Sequence, residues 1–254
     1  MTEGRRGEGP ARFGVTVAAI AVLSLFLLVS PYRWEWERVW KFRLLFLDGL
    51  VGTLYLSVGG LVIGLILGLL AGLGRLARNV VANQLAWLYV EFVRGTPFLV
   101  QILLFYYCIA SAFSLDDKMI AGILVLGFFS GAYIAEIVRA GIEAVDRGQV
   151  EAARSLGLSH RQALRHVILP QAVRKVIPPL TGQLVTLIKD SSLLYIIGAY
   201  ELLKATNEIR GETLKTWEPL LIVTLLYLLL TIPLMRFTSW LETRLNPTRR
   251  GIHV

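Results

Sequence analysis

Residues 59–74, GGLVIGLILGLLAGLG, contain no charged residue and place Gly60, Gly64, Gly68 and Gly72 four residues apart. Four-residue spacing puts these glycines on one face of a helix, where a second helix can approach closely. The surrounding apolar run, 50–74, is long enough to cross a bilayer core of about 30 Å. The stretch therefore predicts a membrane-spanning helix, and helix packing is favoured over a pore-lining role for the glycines.

The rest of the chain has the same apolar character. It has 254 residues, of which 55% are hydrophobic and 17% are charged, and its mean hydropathy is +0.62, which is too apolar for an ordinary soluble domain. Segments long enough to span occur at 13–30, 50–74, 97–114, 119–139, 179–200 and 217–236. We predict an all-α bundle of about six transmembrane helices.

The charges predict an orientation for this bundle. The first segment follows Arg5, Arg6 and Arg12 and resembles a secretory signal, but its apolar run is longer than usual and Ser30-Pro31-Tyr32 is a poor cleavage site. A retained helix is therefore favoured. With the N-terminus inside, most lysines and arginines fall on cytoplasmic segments. Both termini are predicted to be cytoplasmic, and the net charge of +8 indicates orientation rather than nucleic-acid binding.

Several chemical classes find no support in the sequence. The single cysteine, Cys108, lies in an apolar run and is interpreted as a packing residue. The three histidines lack metal-ligand spacing. No Gly-Lys dipeptide occurs, so the chain has no Walker motif of a P-loop ATPase. The tryptophans and arginines mixed in residues 33–43 suit a helix in the lipid headgroup layer.

The sequence YVEFVRGTPFLVQ, residues 89–101, predicts a helix start. Thr96 is a plausible N-cap and Pro97 a good first helical residue. Arg94 is then placed at the headgroups, and residues 80–93 are predicted to form an amphipathic elbow. A helix start with an arginine that snorkels to the headgroups explains this pattern without any further function.

A basic segment at 139–178 contains EAARSLGLSHRQALRHVILPQAVRKVIPP. A short helix over Glu151–Leu156 should end at Gly157 as its C′ residue. A second should start at Ser159, with Gln162 in capping-box position, and Pro170 should limit its length. The second helix carries more apolar surface than a solvated linker requires, so we interpret the segment as a docking element.

This segment resembles the EAA motif of permease subunits of binding-protein-dependent ABC importers. The match consists of Glu151-Ala152-Ala153, Gly157 and Leu169-Pro170, with Val167 where the motif has Ile. EFVRGTPFLVQ, SGAYIAEIVRAGI (130–142) and IPPLTGQLVTLIKDSSLLYIIGAYEL (177–202) resemble the polar amino-acid branch, of the histidine, glutamine and glutamate type.

The resemblance covers residues 47–247 and implies a permease domain with the five-helix core of a type I importer and a coupling loop at 143–176. Residues 1–46 are then an N-terminal tail, an extra transmembrane helix and a Trp-rich interfacial segment, and 248–254 are a cytoplasmic tail. The family resemblance further implies a multi-pass protein of the bacterial cytoplasmic membrane, in contact with lipid.

The implied function is transport without a catalytic site. Two permeases, either two copies or this chain with a related one, would form the pathway. An ABC ATPase dimer in the cytoplasm would bind ATP and Mg, so this chain would hold no cofactor, and an extracytoplasmic binding protein would deliver the amino acid. The residues implied to contact the ATPase are Glu151, Ala152, Ala153, Leu156, Gly157, Leu164, Leu169 and Pro170.

Charged and polar residues interrupt the apolar run LIKDSSLLYII, 187–197. A charge inside a bilayer costs roughly 2.5–3.5 kcal/mol, so Lys189 and Asp190 should face protein or water. Either the helix unwinds at Lys189–Ser192, or each charge pairs with another helix, with Glu136 as the candidate partner of Lys189. Candidate residues of a substrate path or gate are Ser130, Tyr133, Glu136, Gln183, Lys189, Asp190, Ser191 and Ser192.

Two other predictions remain open from sequence. The outer segment 201–216 mixes both signs of charge without an apolar face, and either receives the binding protein or is a solvated loop. A self-sufficient secondary transporter or channel is the alternative function. It would not need the docking element, and the six segments show no inverted repeat. A membrane hydrolase would need a nucleophile motif such as G-x-S-x-G, which is absent.

Overall fold

The computed structural model describes residues 32–245, so the predicted crossing 13–30 lies outside the described residues. Within the described residues, 37–245 belong to one compact unit and 32–36 to another. In chain order the helices are α1 (Trp36–Trp40), α2 (Arg43–Arg75), α3 (Val80–Gly95), α4 (Phe98–Leu104, continued by a π-helix, Phe105–Ala110), α5 (Lys118–Glu143), α6 (Arg147–Ser155), α7 (His160–Ala163, continued by a π-helix, Leu164–Ile168), α8 (Leu169–Asp190, continued by a 3₁₀-helix, Ser191–Ile197), α9 (Leu202–Thr213) and α10 (Trp217–Leu245).

The predicted all-helical membrane class is confirmed. Helices α2, α5 and α10 are long and apolar enough to span, and α3 with α4 makes a fourth candidate if this pair, bent by 109°, counts as one crossing. Helix α8 carries Lys175, Lys189 and Asp190 and is not among the candidates. The described residues thus contain three or four candidate spans, and a total of six stays a prediction.

The glycine face of α2 packs on α5, as its spacing predicts. A Cβ on Gly60 would lie 2.8 Å from the Cβ of Leu126, and a Cβ on Gly72 would lie 2.9 Å from the Cβ of Val138. Any larger side chain would force the helices apart. Since the contacts advance along both helices in the same direction, α2 and α5 run parallel.

The elbow between α3 and α4 differs from the prediction by one residue. Pro97, not Thr96, is the N-cap, and α4 begins at Phe98. The Thr96 hydroxyl instead donates to the carbonyl oxygen of Phe92 at 2.8 Å, at the end of α3. The buried Gln101 amide donates to Thr96 Oγ1 at 2.8 Å and thereby closes the bend. Thr96 therefore stabilises the end of the preceding helix rather than the start of the next one.

The turn predicted within the docking element is confirmed. Gly157 has a φ of +87°, a left-handed conformation that favours glycine. Ser159 and Gln162 form the capping box, with the Ser159 N–H donating to Gln162 Oε1 at 2.8 Å. Helix α6 starts earlier than Glu151, because Asp146 caps it by accepting the Gly148 N–H.

The prediction that Pro170 limits the second helix is wrong. The helix continues from α7 through the π-helix into α8, and α8 also contains Pro178 and Pro179. A proline removes one backbone donor. Pro170 is the second residue after the π-helix, where the regular α hydrogen-bonding pattern is already interrupted, so the missing donor does not end the helix.

We call the side of the bundle at residues 144–168 the loop end, and the other side the opposite end. At the opposite end, the prediction that 201–216 lacks an apolar face is wrong, because α9 buries Leu202, Ala205 and Ile209. Close approach to α2 makes this possible: a Cβ on Gly52 would lie 2.0 Å from the carbonyl oxygen of Tyr200. Charged residues at intervening positions hide this apolar spacing in the sequence.

Candidate functional site

A cavity of about 450 Å³ opens between α3, α5 and α8 near the loop end. Its size is within the usual range for small-molecule sites. It is lined by Arg94, Tyr133, Glu136, Ile137, Ala140, Gly141, Ala144, Lys175, Pro179 and Gln183. Helices α5 and α8 both contribute to the lining because Gly141, in the cavity wall, lets α8 pack closely on α5.

Glu136 lies at the centre of a cluster of arginines. Its carboxylate is 2.9 Å from Arg139, 3.4 Å from Arg94 and 3.7 Å from Arg75. Three different helices contribute these cations, because α2 and α3 both end beside this part of α5. The side chains of Glu136 and Arg75 are 20% and 16% exposed, whereas that of Arg94 is 44% exposed, so the cluster is open to solvent on the Arg94 side.

The predicted pairing of Glu136 with Lys189 is wrong. Gly141 of α5 lies beside Val176 of α8, since a Cβ on the glycine would be 2.2 Å from Val176 Cγ2. From that level, Glu136 is about 8 Å toward the opposite end, whereas Lys189 is about 20 Å toward it, at 1.5 Å per residue. A separation of about 12 Å along the bundle is too large for an ion pair.

Cations outnumber carboxylates around the cavity. Lys175 donates to the carbonyl oxygen of Ala144, and Glu143 accepts from Arg139 at 2.5 Å. With the three arginines that surround Glu136, four cations face two carboxylates. The site therefore favours an anion, while Glu136 offers one negative charge in the same cavity.

Tyr133 and Gln183 add an aromatic ring and an unused donor. The Arg94 guanidinium lies 5.8 Å from the centroid of the Tyr133 ring, a distance typical of a cation–π contact. Gln183 is 8% exposed, and its Nε2 is buried without a hydrogen-bond partner among the described residues. A buried donor without a partner costs about 1–3 kcal/mol, so a ligand oxygen here would be favoured.

The predicted substrate-path serines lie elsewhere. Ser130 is fully buried against α2 and donates to the carbonyl oxygen of Gly127 at 3.3 Å. Ser191 is also fully buried and donates to Ile188 at 2.9 Å. These two residues stabilise helix packing, and neither lines the cavity.

The remaining path candidates lie at the end of α8 and at the start of the 3₁₀-helix that continues it. Ser192 donates to the carbonyl oxygen of Lys189 at 2.7 Å, Lys189 is exposed and Asp190 is half-buried. The predicted unwinding at 189–192 is not observed, because α8 tightens into a 3₁₀-helix from Ser191 to Ile197. None of these residues lines the cavity. Of the predicted path residues, Tyr133, Glu136 and Gln183 are the ones brought together.

The docking element presents part of its predicted surface. Leu156 is 83% exposed and Leu169 is 41% exposed. Glu151, Ala152, Gly157 and Pro170 are also exposed, and Leu164 is half-buried. Ala153 is only 7% exposed, so little of its methyl group is accessible, and its contact with the ATPase stays a prediction.

Sequence reasoning missed the cations that make the cavity polar. Arg94 was assigned to the headgroups, and Arg75, Arg139 and Lys175 received no role. The spacing of Glu136, Arg139 and Glu143 was an available signal, because side chains three and four residues apart meet on a helix. The contacts between separate helices had no such local signal.

The chain matches known proteins over most of its length. Residues 60–247 match the family model "Binding-protein-dependent transport system inner membrane component". The chain is 37% identical to the glutamine transport system permease protein GlnP of Escherichia coli K12 over 84% of this chain and 99% of that protein. It is 39% identical to the probable glutamine ABC transporter permease protein GlnM of Bacillus subtilis 168, over 80% and 94%.

A solved structure is similar as well. The crystal structure of an amino acid ABC transporter with histidines contains a chain with a TM-score of 0.79 and 36% identity. The alignment covers 84% of this chain and all of that one.

Proposed function

This chain belongs to the binding-protein-dependent transport system inner membrane components and is the permease subunit of an amino-acid ABC importer, and from this premise we propose that its cavity around Glu136 binds the transported amino acid. Membership of this family implies an ATPase and a binding protein as partners. The chain is therefore a transport component, and ATP hydrolysis belongs to a separate subunit.

The observation that carries the cavity proposal is the unpartnered Nε2 of Gln183 beside groups of both charges. An amino acid has a carboxylate, an ammonium group and a side chain. Arg94 and Lys175 supply charge for the carboxylate, and Glu136 supplies it for the ammonium. Gln183 can donate to a polar side chain.

We propose polar amino acids of the glutamine type as the cargo. The names of both relatives refer to glutamine. An amide oxygen is a neutral acceptor that matches the unpartnered Gln183 donor. It adds no second negative charge near Glu136.

The test is binding of radiolabelled glutamine to the purified permease–ATPase complex without the binding protein. Gln183→Leu keeps a similar volume and removes the donor, and we expect it to weaken binding at least tenfold. Gln171→Leu is the matched control, because Gln171 lies outside the cavity and bonds to Gln149. If both variants bind glutamine with the same affinity as the unaltered complex, Gln183 and its cavity do not bind the transported amino acid.

We further propose that the docking element couples the chain to a cytoplasmic ATPase dimer. Exposed Leu156 and Leu169 supply apolar contact, and Glu151 supplies a polar contact at the edge. Two permeases, either two copies or this chain with a related one, would form the pathway. Each would have a five-helix core, and the extra first helix would place both termini in the cytoplasm, as the positive charges favour.

Gly157→Val tests the coupling, since a β-branched residue disfavours a φ of +87°. We expect the amount of co-purified ATPase and the glutamine-dependent ATPase rate both to fall at least fivefold. Gly211→Val is the control, because Gly211 has open space around it and no left-handed φ. Normal coupling in the Gly157 variant would contradict the assigned role.

A further inference from the structure

An apolar groove lies where α1, α2 and α10 meet at the opposite end. Its volume is about 310 Å³, at the lower end of the range for small-molecule sites. Val39 of α1 and Phe46 of α2 line it and are almost fully buried. Ile222 and Leu226 of α10 also line it and pack against these two residues. Three helices therefore hold the apolar part of the groove in place.

The groove follows the spanning helices and starts at their ends. Arg43 is the first residue of α2, and the lining continues to Leu47, about 6 Å deeper by the helical rise. On α10, which begins at the same end, the lining extends from Ile222 to Leu226, again about 6 Å. The groove thus has a charged rim at the level of the helix ends and apolar walls along the direction of lipid chains.

Two cations and a tryptophan lie at this rim. Trp40 lines the groove and is 65% exposed, as expected of tryptophan at the headgroup level. Arg43 donates one long hydrogen bond, at 3.4 Å, to the carbonyl oxygen of Trp40, which leaves most of its N–H donors for a ligand. Lys41, beside them in sequence, is exposed. Neither Lys41 nor Arg43 forms an ion pair within the described part of the chain.

We propose that the groove binds an anionic phospholipid, with the phosphate at Arg43 and one acyl chain between α2 and α10. A guanidinium matches a phosphate with two parallel hydrogen bonds, and nearby basic residues favour anionic headgroups. A headgroup with an ammonium group is disfavoured, because no acidic residue of the described chain lines the groove. The bilayer supplies lipid at high concentration on this surface. The proposal is independent of the amino-acid cavity, which lies near the loop end.

The experiment measures lipid binding to the full chain, purified in mild detergent, by native mass spectrometry with added phosphatidylglycerol or phosphatidylethanolamine. We expect Arg43→Gln to weaken binding of phosphatidylglycerol at least fivefold and to leave binding of phosphatidylethanolamine unchanged. Arg236→Gln is the matched control, because Arg236 is an exposed cation on α10 outside the groove. Equal weakening by both variants would assign the binding to general charge attraction and overturn the site.

A second variant tests the acyl chain without changing charge. Leu44 lines the groove and is 60% exposed, so Leu44→Trp should fold, fill part of the groove and weaken binding of phosphatidylglycerol at least fivefold. Leu70→Trp is the control, because Leu70 is 67% exposed on the same helix and lies outside the groove. Unchanged binding to the Leu44 variant would contradict the proposal. Displacement of the lipid by inorganic phosphate would also contradict it, since the anion alone would then be recognised.

Photo-cross-linking in the native membrane identifies the occupant with the rim left unaltered. In a Cys108→Ala background, Leu47→Cys is labelled with a benzophenone maleimide and irradiated, with Leu70→Cys as the control outside the groove. Leu47 is 55% exposed, so it accepts the label. Mass spectrometry should find anionic phospholipid adducts at least threefold enriched at position 47 over position 70. Equal lipid composition at both positions, or a cross-link from position 47 to another protein or to residues 1–31, would overturn the proposal.

Discussion

Glu136 and Glu201 are carboxylates at different ends of the bundle, and they are stabilised in different ways. Glu201 is fully buried and accepts from the backbone N–H groups of Leu203 and Lys204, at 2.8 and 2.7 Å, and from the Tyr227 hydroxyl at 2.9 Å. No described lysine or arginine forms an ion pair with it. Glu136 has three arginine partners and lines an open cavity.

The difference lies in how many arrangements each site allows. The donors to Glu201 are two consecutive backbone amides and one tyrosine, so the carboxylate has one favourable position. It joins α9 to α10 and fixes the opposite end. The partners of Glu136 are long side chains from three helices, which can exchange contacts when a ligand enters. We infer that the opposite end is built for stability and the loop end for rearrangement.

The largest expected effect on stability is that of Glu201→Ala. The change leaves two backbone donors and the Tyr227 hydroxyl without their acceptor and creates a cavity, which should cost about 2–4 kcal/mol. SDS titration of the purified protein in detergent measures the loss. Glu208→Ala is the control on the same helix, because Glu208 is 38% exposed and its ion pair with Lys204, at 3.4 Å, is partly exposed as well. Equal losses would show that Glu201 does not fix this end.

The next effect is a dependence of stability on pH. Burial raises the pKa of Glu201, which lies just outside the spanning helices, from 4.5 to about 7. Between these values the folded protein holds a proton that the unfolded chain releases, so this contribution falls as pH rises through about 7. We expect a loss on the order of 2 kcal/mol between pH 4.5 and 7.5. Glu201→Gln should lack this slope in the same SDS titration, and an unchanged slope would assign it to another group.

The same comparison shows what sequence could predict. The glycine face of α2, the Gly157 turn and the Ser159–Gln162 box follow from local spacing, and all three are confirmed. The helix cap formed by Glu201 could not be predicted, because a charged residue before a segment of mixed charge is typical of a solvated loop. Its burial depends on Gly52, a glycine far away in sequence that lets the chain at Tyr200 approach.

The cavity was predictable only in part, for a related reason. Tyr133, Glu136 and Gln183 stood out as polar residues in apolar runs, and they do meet. Their cationic neighbours lie at helix ends, where arginines are ordinarily explained by headgroups. Arg75 and Arg94 reach Glu136 because α2 and α3 both end beside α5, and no local pattern specifies that arrangement. Lys189 was predicted as the partner because the sequence does not show which residues of α8 lie level with which residues of α5.

The smallest predicted effect tests whether Glu136 shares its partners. Arg139 bonds to Glu136 and to Glu143, at 2.9 and 2.5 Å. Glu143 is 51% exposed, so Glu143→Gln alone should cost only about 0.3 kcal/mol. In a Glu136→Gln background the Glu143 carboxylate becomes the only negative charge that pairs with Arg139, and its removal should cost about 0.5 kcal/mol more.

A double-mutant cycle by SDS titration measures that excess, with Glu136→Gln and Glu208→Gln as the control pair. Glu208 lies at the opposite end and shares no partner with Glu136, so the control cycle should be additive. An excess at Glu143 alone shows that Arg139 can pass between two carboxylates at little cost. Because that cost is low, a ligand can compete for the arginines of the cavity. The buried donors to Glu201 have no second carboxylate among their partners. Additivity in both cycles would mean that the arginine cluster is as fixed as the Glu201 cap.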